Sequence, residues 1–82
     1  MSVVKKQAVY GAYAIRMNDN GSVEIEHNGE ICGNAISAIR EISAEAGFVI
    51  NNDWTGRQTV SKLIDYLNKL NENIKKLQLW QK

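Results

Sequence analysis

Apolar residues recur at alternating steps of three and four along the stretch from Thr55 to Trp80. Written in heptads as abcdefg, the a and d positions hold Val60, Leu63, Leu67, Leu70, Ile74 and Leu77. Two helices that bury a shared stripe use this spacing. The pattern predicts one long amphipathic helix, whose a and d residues we call the seam, and it favours a homodimer formed through that helix. Branched residues at the a positions Val60 and Ile74 favour two parallel helices, although the antiparallel pairing stays open.

The size of the chain strengthens the expectation of a partner. The 82 residues make one domain, 1–82, and a domain this small buries only about 60% of the surface that its unfolded chain exposes. Yet 44% of the residues are hydrophobic. A helix from Gly56 to Trp80 is roughly 37 Å long, which is more than so small a body covers. We expect residues 8–54 to form a sheet and a first helix, and the distal half of the helix over 55–80 to project toward a second copy or another protein.

Cysteine usage and hydropathy indicate the compartment. Cys32 is the only cysteine, so no disulfide can form within the chain, and a secreted domain of this size usually carries several. No stretch approaches the roughly 20 apolar residues that span a membrane, and the amino terminus lacks the apolar segment of a signal peptide. The sequence predicts a soluble, cytoplasmic protein with no membrane partner.

Charge is unevenly distributed along the chain, although the net charge is only +1. Residues 1–18 and 54–82 are basic, whereas residues 19–53 are acidic. An asymmetry of this kind can steer a partner or align two copies. It points to nucleic acid much more weakly than a strongly basic chain does.

The first half of the chain carries strand and turn signals. Hydropathy alternates from Ala8 to Met17, which predicts one strand with Gly11 as a bulge or a close approach. Asp19-Asn20-Gly21 supplies turn chemistry, and a loop of these residues with a left-handed Gly21 sets apolar residues opposite apolar residues in the next strand. The pairs that we expect are Met17 with Val23, Arg16 with Glu24, Ile15 with Ile25, and Ala14 with Glu26.

Asn28-Gly29 is the strongest hairpin signal in the chain, because a type I′ turn needs positive φ at both central residues. It predicts a short third strand over 30–32. A loop of these two residues alone pairs Ile25 with Cys32 and leaves Ile31 on the outer face, whereas a loop longer by one residue turns Ile31 inward. The sequence does not decide between them, nor does it decide whether the apolar run 48–50 forms a strand.

Capping residues predict the ends of two helices. Asn34 is a good N-cap for a first helix that runs to about Ala46, and Gly47 suits the left-handed position after its last turn. The inward face of that helix carries Ala35, Ile39, Ile42 and Ala46, with Ala38 beside it and Ile36 at its edge. Thr55 and Gln58 match the S/T-x-x-E/Q capping box, so the long helix should start there.

Few residues could support catalysis. His27 and Cys32, the only histidine and cysteine, could reach a metal only with carboxylates as further ligands, and we interpret both as structural. Glu24 and Glu26 share one face of a strand, but an acid catalyst needs an apolar pocket that raises its pKa, and their positions predict exposure. We therefore expect no enzyme, no metal and no cofactor.

Basic residues near and along the long helix suggest a second kind of partner. The start of a helix favours anions, and Arg57 beside Thr55 could hold a phosphate or a carboxylate there. Lys62, Lys69 and Lys76 share heptad position c and form one solvated stripe. Non-specific nucleic-acid binding could rest on such a stripe.

Residues 22–57 are predicted to form a hairpin, a short strand and a helix, in that order. With Asn28-Gly29 before the third strand and Trp54-Thr55-Gly56 after the helix, this order resembles that of small modules attached to restriction and methylation proteins. The resemblance covers under half of the chain and implies contact with DNA.

Together these features predict an α+β domain in the order β-β-β-α-α: a three-stranded antiparallel meander, a short helix and a long one, dimeric through the long helix. The predicted function is a small non-enzymatic protein-interaction module, whose interface is the seam together with Tyr66 and Trp80, aromatic residues at flanking g positions. The alternative is a nucleic-acid-binding dimer that uses the lysine stripe and the helix start at Arg57, or Lys5 and Lys6 near the amino terminus.

Overall fold

The computed structural model describes residues 3–80, and the side chains of residues 3–73. Its elements are strands β1 (Val4–Tyr10), β2 (Tyr13–Asn18), β3 (Val23–His27) and β4 (Glu30–Ile31), followed by helices α1 (Ala35–Ala46) and α2 (Gly56–Trp80). The strands form one antiparallel sheet in the order β1-β2-β3-β4, so each strand pairs with its neighbours in sequence. The predicted α+β class, with two helices after the sheet, is confirmed.

The sheet has four strands, so the predicted three-stranded meander is wrong in its first element. The stretch from Ala8 to Met17 belongs to two strands joined at Gly11-Ala12, and Tyr10 pairs with Tyr13 across that turn. Gly11 has a φ of +57°, and a type II′ hairpin turn needs positive φ at its first central residue. Gly11 is therefore a turn residue and not a bulge.

The hairpin between β2 and β3 has the predicted register. Met17 pairs with Val23, Arg16 with Glu24, Ile15 with Ile25, and Ala14 with Glu26. Asn18 N–H donates to the Ser22 carbonyl at 2.9 Å, which closes the loop 19–21, and Gly21 has the expected positive φ of +88°. This register turns Ile15 and Ile25 inward, where both are buried.

The turn between β3 and β4 decides the register that the sequence left open. Both residues of Asn28-Gly29 have positive φ, +56° and +86°, as a type I′ turn requires. Cys32 N–H donates to the Ile25 carbonyl at 2.8 Å, which fits a loop of those two residues alone. Ile31 consequently lies on the outer face of the sheet, with 61% of its surface exposed.

The core lies between one face of the sheet and the two helices. Its buried apolar residues are Ala8, Ile15, Met17 and Ile25 from the sheet, Ala38, Ile39 and Ile42 from α1, and Val60, Leu63, Ile64 and Leu67 from α2. They form a single cluster. Burying one Leu or Ile side chain fully stabilises a fold by roughly 1.5–3 kcal/mol, so this cluster is the main source of stability. The alternate residues of each strand form what we call the outer face.

Helix α1 begins and ends where the sequence predicts. Asn34 Oδ1 accepts a hydrogen bond from Ser37 N–H at 3.1 Å. Gly47 has a φ of +78° and donates its N–H to the Ser43 carbonyl, as a left-handed helix end does. Of the predicted inward face, Ile39 and Ile42 are buried and Ala35 and Ala46 are half-buried, while the adjacent Ala38 is buried as well.

Residues 48–50 form no strand and connect α1 to the turn before α2. Phe48 and Ile50 pack against the core, whereas Val49 points outward with 82% of its surface exposed. The Phe48 ring lies 5.2 Å from the Tyr66 ring and 5.9 Å from the Trp54 ring, measured between centroids. An aromatic cluster therefore covers one end of the core.

Helix α2 opens with the predicted capping box. Thr55 Oγ1 accepts from Gln58 N–H at 3.2 Å, and Gln58 Oε1 accepts from Thr55 N–H at 3.0 Å. These two bonds satisfy donors that have no partner within the helix. From this point α2 continues to Trp80 and packs on β1 and β2.

Candidate functional site

The predicted seam changes its surroundings along α2. Val60, Leu63 and Leu67 are buried in the chain's own core, with at most 4% of their surface exposed. Leu70 is half-buried and packs against the edge of that core. The side chains of Ile74, Leu77 and Trp80, which belong to the predicted interface, lie outside the described residues. The first half of the seam thus covers the sheet of its own chain.

Tyr66, predicted to flank an interface, joins α2 to α1. Its hydroxyl donates to the Ala46 carbonyl at 2.7 Å, and its ring packs on Phe48. The carbonyl groups of the last turn of a helix lack partners within the helix, so this bond completes the end of α1. Tyr66 is thus partly buried by contacts within its own chain.

Polar side chains on one flank of the seam bind strand β1. They recur along α2 as Ser61, Asp65, Asn68 and Asn71, and we call them the polar stripe. Lys6 Nζ donates to Ser61 Oγ at 2.6 Å and to the Asp65 carboxylate at 2.9 Å. The Asp65 side chain is 66% exposed, so solvent screens this ion pair and its contribution to stability is small.

The other two members of the polar stripe bind the backbone of β1. Asn68 Nδ2 donates to the Gln7 carbonyl at 3.1 Å, and Asn71 Nδ2 donates to the Val9 carbonyl at 2.9 Å. The heptad pattern by itself does not predict these two contacts. The signal that could have found them is the spacing of hydrogen-bonding side chains along the flank of the seam, at the steps of three and four that place residues on one side of a helix.

An open groove lies where the start of α2 meets the loop 19–21 and β1. Its volume is about 320 Å³, and its lining includes Lys5, Arg57 and Asp19. The Arg57 guanidinium lies against Gly21, where Cζ is 2.7 Å from the position of a Cβ built on that glycine. Two cations beside the amino end of a helix favour an anion, and Asp19 opposes it.

The residues predicted for anion or nucleic-acid contact do not share one surface. Thr55 is committed to the cap of α2, and Lys62 Nζ lies over the Trp54 ring, 5.2 Å from its centroid. Lys69 is exposed. Arg57 and Lys62 are about 140° apart around the helix axis, because each residue turns the helix by about 100°. Arg57 therefore joins Lys5 in the groove and not the lysine stripe, whose third member, Lys76, has its side chain outside the described residues.

The acidic pair on β3 lies on the outer face, as the alternation predicts. Arg16 Nη2 lies 3.0 Å from Glu26 and 3.5 Å from Glu24. The hydrogen bond with Glu26 raises the pKa of Arg16, and the charges of both carboxylates add to this effect. The two glutamates thus balance one arginine in a solvated network.

His27 and Cys32 lie apart from any cluster of metal ligands. The His27 ring stacks on the Tyr13 ring, with centroids 4.2 Å apart and planes 9° from parallel. Tyr13 Oη donates to Glu41 of α1 at 2.8 Å, and this bond is the main reason that the pKa of Tyr13 is raised. Within the part of the chain that the structure describes, no group of His, Cys, Asp and Glu side chains is arranged to hold a metal ion.

Comparisons with known proteins add no relative to this picture. No protein-family model matches the chain, and neither a curated protein nor a solved structure matches it. Over residues 3–80, neither helix combines the length and apolar character needed to cross a membrane. The resemblance of residues 22–57 to modules of restriction and methylation proteins stays a prediction.

Proposed function

We propose that this chain is a small protein-interaction module, without catalysis of its own, that self-associates through the distal part of α2, residues 70–80. The observation that carries the proposal is the length of α2. Asn71 bonds to Val9, one residue before the end of β1, and the helix continues for nine more residues to Trp80. The stretch 72–80 adds about 14 Å of helix beyond that bond.

The sequence of this distal part supports the proposal. Leu70, Ile74 and Leu77 continue the a and d spacing, and Trp80 follows at a g position. A short helix without tertiary contacts is marginal in water, and Asn71 and Asn73 lower its helix propensity further. Pairing of two seams would supply tertiary contacts to this part of the helix. The proposal thus assigns Val60, Leu63 and Leu67 to the core and leaves the distal residues to the partner.

Light scattering coupled to gel filtration tests this proposal over a wide range of protein concentration. We expect a mass of twice 9.2 kDa that falls toward 9.2 kDa on dilution. Leu77→Asp should give the monomer at all concentrations, because it places a charge at a d position of the paired seam. The matched control is Leu79→Asp, which makes the same substitution at heptad position f, on the opposite side of the helix.

Two results would contradict self-association through the distal seam. One is a wild-type mass of 9.2 kDa at every concentration. The other is an equal loss of dimer in Leu77→Asp and Leu79→Asp, because that would show a general effect on the helix and not an effect on the seam.

A second candidate function is nucleic-acid binding at the groove. The observation that favours it is the placement of Lys5 and Arg57 on one cavity beside the amino end of α2. Phosphate oxygens suit such a cavity, because they accept hydrogen bonds from backbone N–H groups and from arginine. Of the lysine stripe, Lys62 and Lys69 are both exposed, and Lys62 also lies over the Trp54 ring.

Fluorescence anisotropy with a labelled DNA duplex at several salt concentrations tests the second candidate. Lys5→Ala and Arg57→Ala should each weaken binding for every sequence and lower the salt slope by about one. Arg40→Ala removes an exposed arginine from α1, away from the groove, and serves as the control. Absence of binding at low salt, or equal effects of all three variants, would exclude the groove as the contact.

A further inference from the structure

Strand β1 forms one edge of the sheet and has β2 as its neighbour within the sheet. The outward N–H and C=O groups of an edge strand form a template on which another strand can pair. β1 has seven residues, whereas β4 at the opposite edge has two. Val4 and Val9 on β1 and the adjacent Val3 expose 42%, 57% and 65% of their surfaces. β1 is thus the longer and more apolar of the two edges.

The outward carbonyl groups of β1 already have partners. Asn68 and Asn71 donate to the carbonyls of Gln7 and Val9 at 3.1 Å and 2.9 Å. A side-chain carboxamide has the same donor as a peptide group, so these two amides stand where the N–H groups of a further strand would donate. A strand cannot pair with these carbonyls while both asparagines are bound to them.

We propose that β1 is a strand-pairing surface for a second copy of this chain, and that Asn68 and Asn71 keep this surface closed. Release of the two carbonyls opens the edge. Two sheets then join through their β1 strands, antiparallel and around a two-fold axis. Asn71 lies within the distal part of α2, but it bonds to β1 and is not a seam residue, so the proposal does not depend on pairing through the seam.

The sequence of β1 is compatible with self-pairing around Gln7. Its carbonyl points outward, since it accepts from Asn68, so Gln7 of each copy can form the central hydrogen-bonded pair. Lys6 then opposes Ala8 on both sides of the axis, and the regular pairing ends there because β1 has a bulge between Val4 and Lys6. No lysine faces a lysine in this register, so charge does not oppose pairing. Charge therefore allows a second copy at this edge.

Disulfide crosslinking at the two-fold axis tests the proposal. Gln7→Cys in a Cys32→Ala background leaves residue 7 as the only thiol. The Cα atoms of a central hydrogen-bonded pair lie about 5.5 Å apart, within the range of a disulfide. With both asparagines present we expect little crosslinked dimer under mild oxidation. Asn68→Ala together with Asn71→Ala should raise the yield about tenfold, because two hydrogen bonds that compete with strand pairing are absent.

Two matched controls locate the effect. Asn73→Ala makes the same change at an exposed position of α2 and should leave the yield unchanged. Lys5→Cys, in place of Gln7→Cys, puts the two thiols about 14 Å apart in the proposed register and should not crosslink. The crosslink is a better readout than mass, because pairing through α2 would raise the mass as well.

The crosslinking yields of these variants decide whether the proposal holds. A yield that is the same with and without the two asparagines, or equal crosslinking through residues 5 and 7, would overturn the proposal. Circular dichroism of each variant checks the fold, and alanine has the higher helix propensity. Should the double variant not fold, Asn68→Ala and Asn71→Ala alone must each give a smaller rise in yield. No rise in either single variant would also overturn the proposal.

Discussion

Asn68 and Asn71 illustrate how one side chain can serve two elements. Asparagine costs up to about 0.7 kcal/mol of helix propensity relative to alanine. A hydrogen bond to a backbone carbonyl contributes a net stability of about 0.5–1.5 kcal/mol. The two effects nearly cancel within α2, so the asparagines change the total stability little. Their main effect is on the edge of β1, whose carbonyl groups they occupy.

Tyr13 should make stability depend on pH in the alkaline range. Its hydrogen bond to Glu41, partial desolvation and the nearby charges of Glu41 and Glu45 raise its pKa above the ordinary value of 10.0. A raised pKa in the folded state means that the neutral tyrosine is stabilised there. This stabilisation is complete below the unfolded pKa and is lost as the pH rises through the folded pKa.

Urea unfolding of the wild type and of Tyr13→Phe at about pH 8 and about pH 11 measures this effect. We expect Tyr13→Phe to be less stable than the wild type at the lower pH, and the difference to shrink or vanish at the higher pH. Tyr10→Phe, on the neighbouring strand, is the control for the general effect of removing a tyrosine hydroxyl. The same difference at both pH values would contradict a role for the Tyr13 proton.

At the scale of elements, helix α2 has two roles. Its first half completes the core, because Leu63, Ile64 and Leu67 are fully buried against the sheet and α1. Its flank holds the edge of β1 through the polar stripe. Beyond Asn71 the helix continues for nine residues to Trp80. The seam is one pattern in the sequence, but the structure buries its first part, Val60 to Leu67, and leaves Leu70 half-buried.

This division predicts a gradient of mutational cost along the seam. Leu67→Ala should destabilise the fold by about 2–5 kcal/mol, because it leaves a cavity in a closed core. Leu70→Ala should cost less than about 2 kcal/mol at protein concentrations low enough to exclude association, because Leu70 is only half-buried. Urea unfolding of both variants checks the order. A larger cost at Leu70 would show that the seam is covered further along α2 than the division implies.

The turns and helix ends that depend on residues close together in the sequence were predicted correctly. The turn at Asn28-Gly29, the loop 19–21, the cap at Asn34 and the capping box at Thr55 each depend on residues within a few positions of one another. The register of β2 on β3 also followed, because only one pairing sets apolar residues opposite apolar residues. Such features need no information about the rest of the fold.

The sequence does not predict β1 as a separate strand, because the contacts of its residues are with residues far away in the sequence. Lys5 and Lys6 interrupt the alternation, and lysines are common on edge strands, where they hinder unwanted pairing. Lys6 is nevertheless turned toward α2, where Asp65 lies 59 positions later in the sequence. The placement of Lys5 and Arg57 on the same groove depends on the same packing. Neither placement has a local signal.

At the scale of the whole molecule, the two edges of the sheet are managed differently. β4 is two residues long and offers little backbone for pairing, whereas β1 is covered by side chains from α2. The outer face carries the network of Arg16 with Glu24 and Glu26. These features leave the distal part of α2 as the extension from which we expect association to start.

If association through the distal part of α2 stabilises the folded chain, the thermal midpoint must depend on protein concentration, because a partner that binds only the folded state shifts the equilibrium toward it. We expect the midpoint of the wild type and of Leu79→Asp to rise with concentration. Leu77→Asp should have a midpoint that does not change. Differential scanning calorimetry over a hundredfold range, about 10 µM to about 1 mM, would show a stabilisation of up to roughly 2.7 kcal/mol if the range runs from the dissociation constant upward. A constant midpoint in the wild type would mean that association does not stabilise the folded chain over this range, and would contradict self-association through the distal part of α2.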